Sequence, residues 1–108
     1  MQHKELADGR WAKMPFCEQM ANIGSEVSRA LNWHNKGKID YSRKAINRAL
    51  ELLDLTIEPI KTYSRLKELL RVREALIDYF YGANEFASSE ELWRKYFDHF
   101  NYMARKNF

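Results

Sequence analysis

The chain is predicted to be all-α, an antiparallel up-down-up-down four-helix bundle. Three observations predict it. Apolar residues recur at steps of three and four in four separate stretches, no stretch alternates with period two, and glycine, proline or a capping serine punctuates the gaps. Short connections make neighbouring helices antiparallel. Residues 1–13, with little periodicity and with Gly9, read as an N-terminal arm pinned by Trp11, and residues 14–108 as the bundle domain.

Pro15 opens the first helix, because its fixed φ suits the first helical position. Phe16, Met20, Ile23, Val27, Ala30, Leu31 and His34 form its stripe, and Lys36-Gly37 ends it. Asp40 is the expected cap of the second helix. There Ile46, Ala49, Leu50, Leu53 and Ile57 face one way, Leu55 points outward and Leu52 sits on the shoulder. The third helix spans 60–81 with the stripe Leu66, Leu69, Leu70, Arg73, Leu76, Ile77 and Phe80, stopped by Gly82. In Ser88-Ser89-Glu90-Glu91, Ser88 caps the fourth helix and Glu91 reaches back. Leu92, Trp93, Tyr96, Phe97, Phe100 and Met103 then make a broad aromatic face.

At 108 residues the chain is one domain with a 45% hydrophobic content normal for a globular protein. A lone cysteine, Cys17, excludes an internal disulfide or a thiolate cluster and favours a reducing, cytoplasmic setting. The polar start Met1-Gln2-His3-Lys4-Glu5 shows no secretory signal, and no apolar run reaches the ~18 residues of a membrane span. Eighteen basic against fifteen acidic residues give +3, which permits a polyanionic partner without demanding one.

Arg73 interrupts an apolar stripe, and an unpaired buried charge costs several kcal/mol. Counting bundle levels points to a buried Glu26–Arg73 pair extended by Asp98. An ion pair fixing helix register is the favoured reading, ahead of an anion contact or catalysis. His34 and His99 read as packed or dipole-complementing residues. Di-iron bundles need repeated Glu-x-x-His. Here Leu31 precedes His34 and Tyr96 precedes His99 by three residues, so no metal and no cofactor is expected. No phosphate loop, zinc-finger spacing or nucleophile elbow occurs, and Cys17 has no placed histidine partner.

Two basic groups are candidates for nucleic acid, RNA or DNA. The first is Lys36, Lys38, Arg43, Lys44 and Arg48. The second is Arg94, Lys95, Arg105 and Lys106, with Tyr102 and Phe108 interleaved. Trp11, Leu52, Leu55 and Tyr102 are candidate interface residues of a homodimer or higher homo-oligomer.

Three stretches carry a resemblance: Ala21-Asn22-Ile23-Gly24-Ser25-Glu26-Val27-Ser28-Arg29-Ala30, Arg48-Ala49-Leu50-Glu51-Leu52-Leu53-Asp54-Leu55-Thr56-Ile57, and Asp78-Tyr79-Phe80-Tyr81-Gly82. Together they resemble a group of short prokaryotic proteins without an assigned activity. The architecture also looks like that of the 23S-rRNA-intervening-sequence bundles, whose relatives include retroelement accessory proteins; this implies a basic oligomer that engages nucleic acid. Arg29-Ala30-Leu31-Asn32-Trp33-His34 is similar to the Arg-x4–6-His element of the HEPN ribonucleases. That likeness implies Arg29 on phosphate charge and His34 as acid or base in metal-independent RNA cleavage. At 100° per residue the two side chains point about 140° apart, so such a site requires a second subunit or a bend. The expectation is a non-enzymatic, oligomeric binding or accessory protein, with the ribonuclease as the alternative.

Overall fold

The computed structural model describes residues 9–106. His3 and Phe108, named above, lie outside them. A short 3-10 turn, Trp11–Lys13, leads into α1 (Phe16–Asn35), α2 (Ile39–Ile57), α3 (Tyr63–Tyr81) and α4 (Glu90–Lys106), and no strand occurs among the described residues.

The helix ends follow from local chemistry. Pro15, at φ −57°, precedes α1. Gly37 reverses the chain after it at φ +74°, a backbone that L side chains rarely adopt. The carbonyls of Trp33 and His34 accept from the amides of Lys36, Gly37 and Lys38. Asp40 does not cap α2. The cap position is Lys38, and Asp40 lies inside the first turn, where its charge complements the helix dipole. The α1–α2 corner is instead tied by Ser42, whose buried hydroxyl donates to the Ala30 carbonyl at 2.8 Å. At α4 the cap falls one residue later than expected, since the Leu92 amide donates to Ser89 Oγ at 3.1 Å. Ser88 exchanges two hydrogen bonds with Asn84. The Asp78 carboxylate accepts from the amides of Glu85 and Phe86, which holds the loop between α3 and α4.

α1 packs against both α2 and α4, and α2 also packs against α3. The shared core comprises Met20, Ile23, Val27, Ala30 and Leu31 of α1, Ala45, Ile46, Ala49, Leu52 and Leu53 of α2, Leu69, Val72, Ala75 and Leu76 of α3, and Trp93, Phe97 and Phe100 of α4. Each fully buried large side chain contributes about 1.5–3 kcal/mol. Trp11 is buried among them, and its indole N–H donates to Thr56 Oγ1 at 2.8 Å.

Four expectations are corrected here. Trp11 and Leu52 belong to the core and are not surface apolar residues open to a partner. Leu55 is half-buried and packs on that core instead of pointing into solvent. The buried face of α3 runs through Leu69, Val72, Ala75 and Leu76, so Leu70 is exposed and Arg73 falls at the edge. Arg73 therefore keeps a side chain 35% exposed and pairs with Asp54 of α2 at 2.7 Å; it does not pair with Glu26. Glu26 binds Arg29 and Arg48 instead, and Asp98 is exposed. An ion pair this open contributes about 1 kcal/mol or less.

The approach of α1 to α4 is set by Gly24. A Cβ there would lie 2.7 Å from Phe97 Cβ, an atom held by the α4 backbone. Helix propensity alone favours Gly24→Ala by about 1 kcal/mol. Forcing an atom into a filled interface costs about 1–3 kcal/mol. The variant is therefore expected to be less stable in urea unfolding; a raised midpoint would show that α4 shifts to make room.

Candidate nucleic-acid interface

The Gly37 turn brings the last turn of α1 beside the first turn of α2. Trp33 and Tyr41, eight residues apart in sequence, stack there with centroids 4.9 Å apart and planes 28° apart. Lys36 Nζ lies 5.4 Å over the Trp33 ring, and Lys44 Nζ lies 5.6 Å over the Tyr41 ring. Beside them the Arg43 guanidinium covers the ring of Tyr81 at 5.0 Å, and the Tyr81 hydroxyl donates to Asn47 Oδ1 at 2.8 Å. Tyr41 is 52% exposed and Trp33 half-buried, so both present ring surface at the molecular boundary.

Three cations of this corner, Lys36, Arg43 and Lys44, are held by rings, not by carboxylates. Among the described residues, none of Lys36, Lys38, Arg43 or Lys44 makes an ion pair. Arg48, the fifth basic residue expected here, is withdrawn onto Glu26 at 3.0 Å. The corner thus combines exposed aromatic surface with four basic side chains that no carboxylate holds.

The second basic group does not form a comparable site. Arg94 is fully engaged: its guanidinium donates to Ser28 Oγ and Asn32 Oδ1 at 2.8 Å each and to Glu90 Oε2 at 3.0 Å. Asn35 donates to the other Glu90 oxygen at 2.7 Å. These two donors hold the Glu90 carboxyl below its ordinary range. Arg94 is therefore a strut between α1 and α4. Lys95, Arg105 and Lys106 are exposed. Arg105 and the exposed Tyr102 border an open groove between the two helices, and Glu18 and Asp98 from the same groove offset its charge. On the far side of α4, Tyr96 donates to Glu68 at 2.7 Å; burial and that bond push its phenol well above the usual range.

Arg29 and His34 are not brought together. Arg29 leans on Glu26, the carboxylate that also holds Arg48 of α2. His34, exposed, meets the rings of Tyr79 and Phe80 on α3. His99 packs edge-on against Phe100, and Cys17 is half-buried. Among the described residues no group of three or more His, Cys, Asp or Glu side chains is placed to hold a metal ion. No helix is long and apolar enough to cross a membrane.

The chain matches no known family model, no curated protein and no solved structure.

Sequence reasoning locates the first basic group but misses its aromatic half. Trp33 falls outside the apolar stripe of α1, and a spacing of eight residues across a turn has no helical or strand period to mark it. The available signal is the glycine between them, which closes the corner.

Proposed function

We propose that this chain is a non-enzymatic accessory protein that binds single-stranded nucleic acid at the α1–α2 corner. The observation that carries the reading is the Trp33–Tyr41 stack with Lys36 and Lys44 over its rings, on a corner that also carries Lys38 and Arg43. A lysine that leaves a ring loses about 0.5–1 kcal/mol of cation–π attraction at an exposed site. A base that takes its place gains about 1–3 kcal/mol by stacking. The freed ammonium then meets the phosphate of the same nucleotide, so the exchange favours the bound strand. Duplexes keep their bases stacked inside and offer the rings nothing comparable.

The same reading has the four helices alternating in direction. It is supported by the Ser42–Ala30 and Trp11–Thr56 bonds between opposite ends of α1 and α2. The Asn35–Glu90 bond does the same for α1 and α4, and for α2 and α3 the Asn47–Tyr81 and Asp54–Arg73 bonds do so together, since the position on α2 rises as that on α3 falls. Its setting is a reducing, cytoplasmic one, in keeping with the single thiol of Cys17.

Tryptophan fluorescence tests binding directly. Trp11 and Trp93 are buried, so quenching by a stacked base reports on Trp33. A single-stranded oligonucleotide is expected to quench the emission and to be recovered uncleaved. Four neutralised phosphates give a log–log salt slope of about −3 for a single strand. Absence of quenching, or an affinity indifferent to salt, would overturn the proposal.

A further inference from the structure

α3 carries two apolar seams, and only one of them is used by the fold. Leu69, Val72, Ala75 and Leu76 face the core. Tyr63, Leu66, Leu70 and Ile77 follow one another at steps of three, four and seven on a face turned about 140° away at 100° per residue. Steps of three, four and seven are the signature of a helix that packs lengthwise against another helix. Tyr63 is 76% exposed and Leu70 44%; Leu66 and Ile77 are half-buried, and neither is among the side chains packed on the core. Phe86, delivered by the loop that Asp78 holds, stands exposed along the same face. Between its ring and α3 runs a groove of about 520 Å³.

The charges flanking this seam say what covers it. Lys67, Arg71 and Glu74 border the groove, Lys67 and Glu74 one heptad apart. A strand of nucleic acid calls for cations alone and finds Glu74 in its path. A second copy of the chain meets Lys67 and Glu74 with their complements, provided the two helices run in opposite directions, and it sets Arg71 at the level of the exposed Leu70 of the other copy. About a two-fold axis midway between Leu70 and Arg71, Lys67 of each copy stands at the level of Glu74 of the other. In a parallel pair Lys67 of one copy and Glu74 of the other stand seven residues apart along the axis, so neither charge meets its complement. The seam is thus self-complementary in one orientation, which is what an isologous two-fold contact requires.

We infer that the chain forms a two-fold dimer through the outer seam of α3, with antiparallel α3 helices and reciprocal Lys67–Glu74 pairs. The contact is separate from the α1–α2 corner, so it stands or falls independently of nucleic-acid binding.

Sedimentation equilibrium tests it. The protein is expected to show twice its chain mass of 12.9 kDa. Leu70→Glu, at an exposed position, is expected to halve that mass with unchanged far-UV dichroism. Lys67→Glu is expected to weaken association at least about tenfold by placing like charges together. The double variant Lys67→Glu/Glu74→Lys is expected to restore it. A wild-type chain that stays monomeric up to about 1 mM, the floor of useful affinity, would overturn the inference, as would a Leu70→Glu variant that stays dimeric. A charge reversal that fails to rescue would overturn the antiparallel pairing.

Discussion

Trp11→Ala is expected to destabilise the protein by about 3–5 kcal/mol, the range for truncating a large aromatic side chain in a core. Three links run through this residue. Its ring fills the space beside α2, its indole N–H donates to Thr56 Oγ1, and its carbonyl accepts from Gln19 Nε2 at 2.8 Å. Thr56 is itself buried and donates its own proton to the Leu52 carbonyl at 2.9 Å, so its hydroxyl keeps that hydrogen bond once the indole donor is gone. The loss is therefore mainly one of packing. Domains of this size are stable by about 5–15 kcal/mol in total, so the substitution removes a large share. The melting midpoint is expected to fall by roughly 12 °C or more, at about 4–8 °C per kcal/mol. Trp11→Phe keeps much of the ring area and sacrifices the hydrogen bond, worth about 1 kcal/mol. Thermal dichroism on both variants separates the two contributions. A shift of only a degree or two for the alanine variant would mean that the residues before α1 do not belong to the folding unit.

Trp33→Ala is expected to weaken single-strand binding by roughly 5- to 150-fold, the affinity equivalent of about 1–3 kcal/mol of lost base stacking. The residue is half-buried at the end of α1, and its neighbour Tyr41 is more exposed still, so the fold should survive the change. Tyr41→Ala should act in the same direction, because each ring of the stack supports the other. Lys44→Ala should act differently. It removes one phosphate partner and flattens the salt slope by about one unit at most, with a uniform effect across sequences. Fluorescence anisotropy with a labelled strand measures all three. A Trp33→Ala chain that binds as tightly as wild type would remove the rings from the interface.

Much of the fold is legible because each helix obeys its period where only one face is apolar. α1 and α2 are of this kind: Met20 to Leu31 of the α1 stripe and Ile46, Ala49 and Leu53 of the α2 stripe are buried, whereas His34 at the stripe's end is exposed, Leu50 and Ile57 are half-buried, and Leu52 is buried where a shoulder is expected. α3 is less readable for a physical reason. Its apolar residues occupy more than half of its circumference, so a stripe drawn through Leu66, Leu70 and Ile77 is as periodic as one drawn through Leu69, Val72 and Leu76. Periodicity names both and cannot choose; packing against α2 chooses. Arg73 follows from the same ambiguity. Counting levels along straight rods sets it opposite Glu26, whereas the rotation of α3 turns it toward Asp54. The basic half of the candidate interface is visible as composition. Its aromatic half depends on the turn at Gly37, and the withdrawal of Arg48 and Arg94 depends on partners that α1 supplies, Glu26 for the one and Ser28 and Asn32 for the other.

The Ser42 hydroxyl bears on recognition as well as on folding. By clasping the Ala30 carbonyl it locks the hairpin from which both stacked rings project. An incoming strand thus meets a platform whose backbone has already lost its freedom. Only the long basic side chains remain to be immobilised, at about 0.5–1.5 kcal/mol apiece. A floppy peptide bearing the same residues would have to order its main chain too, so a buried serine that touches no ligand can sharpen affinity.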